Sequence, residues 1–543
     1  MDMMKELPET VCNLFNLQTL KLDGCYSLKK LPERIGKLRN LRHLELKGTD
    51  QLNYFPRGLE RLSCLRTLST VIFDRGGGKG CQIGELKLLD HIQGELRIKG
   101  LEQVTDSKQA ELNKKEKLRS LALFFSEERQ ADAREEKMKR IESVLDGLQP
   151  HTNLARLRIQ DYEGNVFPSW ISSNTALPNL VKLELSCCNQ CSELPALGTL
   201  QYLEFLTLSE LGSVKRIGRE FYGLGSTNGG ENSVQSIVEF PKLHTLVIEN
   251  MKECKEWHLP FRRGIEIFPM LRKLVVASFM NLQMLPLGLR KLKSLEELSL
   301  FRVKFRDLKF FGIITRNSDD DNVQEEGGES APPVIVFPVL KELRLSDMLE
   351  WEEQENEIKL PIRRDEEEGF IMPCLRELDI SYCPKLKVVP HYLFSPALRS
   401  VRIANCPQLT GWQPCLPPLL EKLQLWNETG ILSKSIVALI SGIGSPDHNK
   451  NDYPNLHSFS IWYSRQSSLP QGLNQLTAIQ TLHFSSCQFL DFTPEDLKHL
   501  PLLQLLKIRG CPILEERCRK RESWTTNSHI PKIILDWRNF VLE

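Results

Sequence analysis

The spacing in this 543-residue sequence that most resembles a chemical site is a cysteine cluster, Cys187-Cys188-x-x-Cys191, which looks like half of a zinc site. A structural zinc ion needs four ligands, and no second CxxC or HxxxH pattern lies nearby to complete the set. Cys188 is also the ninth residue of a repeated pattern that starts at Leu180, and the same ninth place is held by Cys25, Cys383, Cys406, Cys487 and Cys511. This regularity favours a packing role at a turn, so we predict no metal site.

Other signatures of catalysis are missing from the sequence. The stretch GGGKG at Gly76–Gly80 lacks the spacing of a phosphate loop and its Ser/Thr, and is better explained as a flexible loop. HExxH and GxSxG motifs are absent, and the 11 histidines are dispersed, so that no nucleophile stands beside a base. We therefore predict that the protein is not an enzyme and uses no cofactor.

Charge and composition exclude further classes. The formal net charge is +1, and basic residues on the predicted strands alternate with acidic ones, so no electropositive stripe indicates nucleic-acid binding. There is no apolar run of about 18 residues that would span a membrane, and no secretory signal pattern. Fifteen cysteines are an odd number without a disulfide framework spacing. The expected location is the cytoplasm, with the nucleus as an alternative.

The pattern LxxLxL recurs from end to end and defines the fold. Good copies start at Leu17, Leu41, Leu118, Leu154, Leu180, Leu203, Leu243, Leu271, Leu295, Leu340, Leu375, Leu398, Leu420, Leu456, Ile479 and Leu503, with degenerate copies near Leu65 and Leu96. Their shortest spacings cluster at 22–28 residues, which is the period of leucine-rich repeats. The fourth and sixth positions alternate inward as a strand requires, and stacking of repeats buries this face.

The predicted fold is therefore α/β: a leucine-rich-repeat solenoid shaped as a curved horseshoe, with a parallel sheet on its concave face. The convex side is expected to be irregular or to form short helical turns, because several return segments have the pattern LPxxLxxL: Leu31–Leu38, Leu285–Leu292 and Leu469–Leu476. Proline fixes φ and cannot extend a hydrogen-bonded ladder.

The sequence divides into five predicted segments. Residues 1–126 are N-terminal repeats with an uncapped start, and residues 127–314 are central repeats with a helical insertion over 135–148. Residues 315–336 are acidic and free of periodicity, which predicts a disordered insertion. Residues 337–511 are C-terminal repeats, and residues 512–543 form a cap.

Candidate binding residues lie on the outward positions of the C-terminal strands and just beyond them. Exposed aromatic side chains beside arginines are typical of interface hot spots, although the rings could instead pack on neighbouring loops. The predicted protein-binding surface consists of Arg376, Asp379, Arg399, Arg402, Lys422, Trp426, His457, Trp462, Tyr463 and His483.

Several strings between the repeats resemble the repeat region of plant coiled-coil NB-LRR disease-resistance proteins. They are IGEL at Ile83–Leu86, ELRIKGLEQVTDSKQAEL from Glu95, FPSW at Phe167–Trp170, SVKRIGREFYG at Ser213–Gly223, and CPILEERC at Cys511–Cys518 followed by HIP at His529–Pro531. The nucleotide-binding NB-ARC module of that family has no counterpart in this sequence, which contains no phosphate loop.

The resemblance implies a protein-binding domain of an intracellular immune receptor. Such a domain recognises a pathogen effector or a guarded host protein, and in a longer receptor it also holds the NB-ARC module inactive. The alternative is a stand-alone adaptor or scaffold, such as the substrate-recognition protein of a ubiquitin ligase, although the sequence contains no F-box before the repeats.

Overall fold

The computed structural model describes residues 4–74, 78–126, 134–224, 237–260, 264–282, 284–286, 288–289, 292–305, 337–352, 372–411, 413–440, 453–519, 530–535 and 540–542. The chain forms two compact units. Unit 1 comprises Met1–Leu271 with Phe279–Asn281, and unit 2 comprises Arg272–Ser278 with Leu282–Glu543.

Unit 1 is built from parallel strands. A sheet of three strands has the order β1-β2-β3, and a larger sheet has the order β4-β5-β6-β7-β8-β9-β12, while β10 pairs with β13 and β11 with β14. The strands are β1 Thr19–Lys21, β2 His43–Glu45, β3 Thr67–Leu68, β4 Thr70–Ile72, β5 Gly94–Lys99, β6 Leu118–Phe124, β7 Arg156–Gln160, β8 Lys182–Ser186, β9 Phe205–Ser209, β10 Arg216–Ile217, β11 Ile237–Glu239, β12 Thr245–Glu249, β13 Glu256–Trp257 and β14 Ile265–Ile267.

Unit 2 contains one sheet in which consecutive strands pair in parallel and in register from β15 to β24. A last strand, β25, pairs antiparallel with β24. The strands are β15 Lys273–Ala277, β16 Glu297–Phe301, β17 Glu342–Ser346, β18 Glu377–Ser381, β19 Ser400–Ala404, β20 Lys422–Trp426, β21 Ser458–Trp462, β22 Thr481–Ser485, β23 Leu505–Arg509, β24 Lys532–Leu535 and β25 Phe540–Leu542.

Every predicted copy of the repeat, including the two degenerate ones, contributes a strand. The fold predicted from the repeat is therefore confirmed as a leucine-rich-repeat solenoid. Within a strand the burial alternates as predicted: in β18, Leu378 and Ile380 are buried, Glu377 is exposed and Asp379 is half-buried. Inward residues of adjacent repeats are paired in the strand register, as Leu378 is with Leu343 and Val401.

The return segments between strands are mostly short 3₁₀ turns. Two of the LPxxLxxL segments contain such a turn where one was predicted, at Ile35–Lys37 and Leu473–Gln475. The other described 3₁₀ turns are Glu9–Asn13, Leu59–Arg61, Ile83–Leu88, Leu101–Gln103, Ser107–Ala110, Leu112–Lys114, Ser169–Ser172, Leu197–Thr199, Arg219–Tyr222, His391–Leu393, Gly430–Ser433 and Pro494–Leu497.

Three α-helices are described: α1 Arg134–Asp146, α2 Val437–Ile440 and α3 Pro512–Arg519. Helix α1 coincides with the helix predicted over 135–148, and it buries Ile141, Val144 and Leu145. The Ser107 hydroxyl donates to the Val144 carbonyl at 2.7 Å, which ties α1 to its neighbouring repeat. The predicted acidic insertion at 315–336 lies outside the described residues.

The residue that directly follows a strand has a left-handed backbone in many repeats. Examples are Tyr382, Asn405 and Tyr463, with φ of 55°, 52° and 57°. This turn directs the next residue back into the core, and that residue is the ninth of the repeat. In Cys188, Cys383, Cys406, Cys487 and Cys511 the thiol is buried and donates to the carbonyl oxygen two residues earlier. These contacts confirm the packing role predicted for five of the six cysteines at this position, whereas the sixth, Cys25, is only half-buried.

The first repeat is less covered than those that follow. Leu14 is 54% exposed, Leu17 and Leu20 are half-buried, and Leu22 is buried. In the described part of the chain, β1 pairs with β2 and its other edge carries no strand.

Candidate functional site

The predicted binding residues lie on the strand face of unit 2. Arg376 and Arg399 are exposed just before β18 and β19, and the Arg399 guanidinium donates to the Glu421 carboxylate. Lys422 is exposed on β20, while His457 precedes β21 and its Nδ1 lies 2.8 Å from the Asn455 carbonyl oxygen. These four residues are spread along the face without forming one cluster.

Four of the other six predicted residues come together in a row that we name the aromatic ladder: Arg402, Trp426, Trp462 and His483. The Arg402 guanidinium carbon lies 4.4 Å from the centre of the Trp426 ring. The Trp426 and Trp462 rings stack face to face, with centres 4.4 Å apart and planes at 6°. His483 then meets Trp462 edge-on, at 4.5 Å between ring centres. The ladder thus crosses four neighbouring strands, β19 to β22.

Strand register explains this stacking. Trp426 and Trp462 are paired partners at the ends of β20 and β21, and parallel strands lie about 4.8 Å apart. Two flat side chains at the same position of adjacent parallel strands therefore meet at stacking distance. The tryptophan rings pack on each other, whereas Tyr463 remains 53% exposed, and a role of these rings in binding stays a prediction.

Asp379 fixes the charged end of the ladder. Its carboxylate lies 3.3 Å from the Arg402 guanidinium, and the Ser381 hydroxyl donates to its second oxygen. Arg402 is thereby held over Trp426 from the opposite side by a charge-assisted hydrogen bond. The Nε of Arg402 and the indole nitrogens of Trp426 and Trp462 are buried and have no hydrogen-bond partner in the structure.

The other end of the ladder has a positive environment. Burial lowers the pKa of His483, and the nearby charges of Lys507 and Arg509 lower it further. Both cations belong to β23, the strand next to His483. His483 therefore presents a neutral ring to Trp462 near neutral pH.

A cavity of about 580 Å³ opens beside the ladder, beyond the ends of β18 to β22. Its lining consists of Tyr382, Arg402, Ala404, Asn405, Trp426, Asn427, Tyr463, Ser464, Arg465, Ser486, Gln488 and Phe489. Three of the predicted site residues are among them: Arg402, Trp426 and Tyr463. The Asn427 side-chain amide donates to the Asn405 side-chain oxygen at 2.6 Å, which links two adjacent repeats.

Tyr382, Arg465 and Phe489 belong to this cavity but were missed from the sequence. Tyr382 and Phe489 are 53% and 54% exposed. A usable signal existed for Tyr382, because it holds the same eighth position as Tyr463, where the left-handed turn keeps the side chain outside the core. Arg465 and Phe489 lie in loops beyond that turn, where the repeat pattern does not determine which way a side chain points.

The strings that indicated the family serve packing. Tyr162, Phe167 and Trp170 are buried, and Tyr162 stacks on Phe167 with ring centres 5.5 Å apart. Phe221 and Tyr222 are also buried, and the Trp257 indole donates to the Tyr222 hydroxyl at 2.9 Å. These residues pack the core of unit 1.

The described residues contain no cluster of three or more His, Cys, Asp or Glu side chains arranged to hold a metal ion. Cys188 and Cys191 donate to backbone carbonyl oxygens of Ser186 and Gly164. Burial raises the pKa of Cys187 and Cys188 to about 12, so both thiols are protonated. None of the described helices is both long and apolar enough to cross a bilayer.

The comparisons with known proteins agree with the repeat architecture. Residues 83–211 match the family described as R13L1/DRL21 LRRs. The chain is 42% identical over 284 residues to the disease resistance protein At3g14460 of Arabidopsis thaliana, covering 50% of this chain and 19% of that protein. It is 31% identical over 337 residues to the disease resistance RPP13-like protein 1 of Arabidopsis thaliana, covering 60% and 30% respectively.

A third relative is disease resistance protein RGA2 of Solanum bulbocastanum, 30% identical over 219 residues that cover 39% of this chain and 21% of that protein. Among solved structures, the Leptospira interrogans LRR protein LIC12759 aligns over 95% of this chain and 97% of its own, with 18% identity and a TM-score of 0.42. The chain thus spans at most about a third of the length of these plant relatives.

Taken with the repeats, these matches define a leucine-rich-repeat protein. More specifically, its repeats are similar to those of plant disease resistance proteins, with residues 83–211 matching the R13L1/DRL21 LRR family. The resemblance inferred from the motifs is confirmed.

Proposed function

We propose that this chain is the protein-binding domain of a plant intracellular immune receptor, which recognises a pathogen effector or a guarded host protein. In this proposal it has no catalytic activity, binds no nucleic acid and acts in the cytoplasm, with the nucleus as a second location. The plant relatives are disease resistance proteins, which supports a role in defence.

The single observation that carries the proposal is the aromatic ladder on the strand face of unit 2. Aromatic and arginine side chains that remain accessible at the surface contribute most of the binding energy in many protein interfaces. Here they lie side by side on four paired strands, and rigid paired strands hold them in a fixed arrangement. Such a preorganised row loses little conformational entropy when a partner binds.

The relatives are much longer than the part that this chain matches. By analogy with the family, we also propose that the repeats contact an NB-ARC module in a longer receptor and contribute to its autoinhibition. In this proposal the contact of the repeats with the NB-ARC module is separate from the recognition of an effector.

A binding screen tests the proposal. The full chain is assayed by co-immunoprecipitation in plant cells against a panel of secreted pathogen proteins and the host proteins that they modify. Hits are then compared between the wild-type chain and the variant Trp426→Ala/Trp462→Ala, which we expect to lose about 2 kcal/mol or more of binding energy. The matched control is Tyr202→Ala, because Tyr202 is also an exposed aromatic residue with a cation over its ring, that of Lys242, but lies outside the ladder.

A partner that loses binding with the tryptophan variant and retains it with Tyr202→Ala supports the assignment. A partner that is indifferent to the tryptophan variant and sensitive to Tyr202→Ala places recognition elsewhere and overturns it. Thermal unfolding of each variant separates loss of binding from loss of folding.

A further inference from the structure

The cavity beside the ladder indicates what kind of segment the partner presents. Resting on the function proposed above, we propose that this cavity is an anchor pocket for an acidic peptide segment of the partner protein. The segment inserts one aromatic side chain and places carboxylates beside it, on Arg402 and Arg465.

The apolar part of the argument is the size and lining of the cavity. Tyr382, Trp426, Tyr463 and Phe489 surround a volume of about 580 Å³. Pockets of a few hundred Å³ accept groups as large as an aromatic side chain. Tyr382, Tyr463 and Phe489 are each more than half exposed, so a ring placed among them would bury apolar surface on several sides.

The charge of the lining selects an acidic segment. The two charged residues among the twelve lining residues are Arg402 and Arg465, and none of the twelve is Asp or Glu. Arg465 pairs with Glu428 at 3.6 Å, but the two side chains are 76% and 55% exposed. Such an exposed pair contributes little free energy, so a carboxylate of the partner can replace Glu428 on Arg465.

The strands next to the cavity have the same polarity. Within their bounds, β21, β22 and β23 contain no Asp or Glu, whereas β23 contains Lys507 and Arg509. Arg402 on β19, by contrast, is already paired with the Asp379 carboxylate. Both charged side chains within the bounds of these three strands are thus cationic, and a positive field from them would attract a negatively charged segment and repel a basic one.

Stacked aromatic rings with nearby cations also occur in single-stranded nucleic-acid sites. Such sites usually track a backbone with a continuous groove of cations. Here the cations at the cavity are two arginines that already contact carboxylates, and the whole chain has a net charge of +1. A short acidic peptide fits this arrangement better than a polyphosphate chain, and RNA serves as a test arm.

The experiment measures fluorescence anisotropy of labelled peptides on the full chain. The probe is Gly-Ser-Asp-Asp-Phe-Glu-Glu-Gly-Ser. One control replaces Phe by Ser, and a second replaces all four acidic residues by Lys. A fourth arm is a labelled poly-uridine oligonucleotide. We expect the acidic phenylalanine peptide to bind about tenfold or more tightly than either control peptide, with an affinity that falls as salt rises.

Variants locate the binding. Arg465→Glu should weaken the acidic phenylalanine peptide about tenfold and improve the lysine peptide. The matched control is Arg216→Glu: Arg216 is 69% exposed and pairs with Glu220 at 3.6 Å, the same separation as in the Arg465 pair, but it lies in unit 1. Phe489→Ser should weaken the acidic phenylalanine peptide and leave the serine peptide unchanged.

Four results overturn the proposal: equal affinity for the three peptides, no binding of any of them up to about 1 mM, tighter binding of the oligonucleotide, or equal effects of Arg465→Glu and Arg216→Glu. Failure here is distinguishable from failure of the proposed function. A whole-protein partner that needs Trp426 and Trp462 but ignores Arg465→Glu leaves the function standing and refutes the anchor pocket. If the peptides bind as expected but the screen finds no protein partner, the anchor pocket stands and the proposed function is refuted.

Discussion

The strand faces of the two units use the same positions for different contacts. In unit 1, Phe124 at the end of β6 has the Lys99 ammonium at 5.8 Å and the Arg158 guanidinium at 5.6 Å from its ring centre. Lys99 also pairs with Asp50 at 2.9 Å, and Arg158 with Glu184 at 3.2 Å. In unit 2, Trp426 and Trp462 stack on each other and continue into His483.

The two units thus share one kind of core and differ at their outward positions. The inward positions are leucine-rich in both units, so both sheets have the same kind of core. In unit 1 the two cations at the Phe124 ring are paired locally, Lys99 with Asp50 in a turn and Arg158 with Glu184 on the adjacent strand β8. The outward positions of unit 2 leave aromatic surface and positive charge beside an open cavity, and such a surface gains most from a partner.

The largest expected effect tests whether the two cores are equivalent. Leu378→Ala in β18 and Leu183→Ala in β8 each remove a buried leucine side chain, so each should lower the free energy of unfolding by about 2–5 kcal/mol. Arg376→Ala, which faces outward, should change it by less than about 0.5 kcal/mol. Chemical denaturation followed by circular dichroism measures all three. Similar losses for Leu378→Ala and Arg376→Ala would mean that the assigned inside and outside positions are wrong.

The sequence predicted the core well and the site only in part. The repeat sets which residues point inward, so Leu378, Ile380 and the ninth-position cysteines could be placed from spacing alone. It also placed Trp426 and Trp462 at the same position of consecutive strands. It could not supply the stacking of the two rings, because the choice of rotamer depends on the side chains that surround them. Phe489 and Arg465 lie in loops with no periodicity, so nothing in the sequence brought them to Tyr463.

The second prediction concerns the stacked pair. A double-mutant cycle with Trp426→Ala and Trp462→Ala should give a coupling free energy of about 0.5–1.5 kcal/mol, because stacked rings contribute beyond their burial. The corresponding cycle in unit 1, with Phe124→Ala and Arg158→Ala, should give about 0.5 kcal/mol, since Arg158 is also held by Glu184. Urea denaturation measures both cycles. Equal coupling free energies for Trp426/Trp462 and Phe124/Arg158 would mean that the strand faces of the two units do not differ in this respect.

A smaller effect is expected from a buried carboxyl group of unit 1. Burial raises the pKa of Glu239 on β11 to about 6, above the ordinary value of 4.5. Between these two values the unfolded chain loses its proton first, so stability falls as pH rises through this window and stays reduced above it. Glu239→Gln should therefore stabilise unit 1 at pH 7 by on the order of 1 kcal/mol and have little effect at pH 4. The exposed Glu266 of the paired strand β14 provides the control, Glu266→Gln.

Thermal unfolding at the two pH values provides the measurement for Glu239. A variant that is equally stabilised at pH 4 and pH 7 would show that the gain comes from packing of the amide and not from removal of a buried charge.

The smallest expected effect is a shift in the titration of His483 in unit 2. Burial, Lys507 and Arg509 all disfavour the charged ring, so the folded pKa lies below the ordinary 6.5. The unfolded chain then takes up the proton first as pH falls, and this residue lowers stability progressively below about pH 6.5. Lys507→Met removes one of the two charges and should raise the pKa of His483, as should a bound acidic peptide.

Proton NMR of the histidine Cε1–H, assigned with His483→Gln, measures this pKa. Replacing Lys182 by Met in unit 1 serves as the control, because Lys182 lies on a strand of the other unit, beside Glu184. If Lys507→Met left the titration of His483 unchanged while the peptide shifted it, the positive field over β21–β23 would have to come from Arg509. If neither change moved it, burial alone would account for the low pKa, and the charge contrast between the two strand faces would not extend to His483.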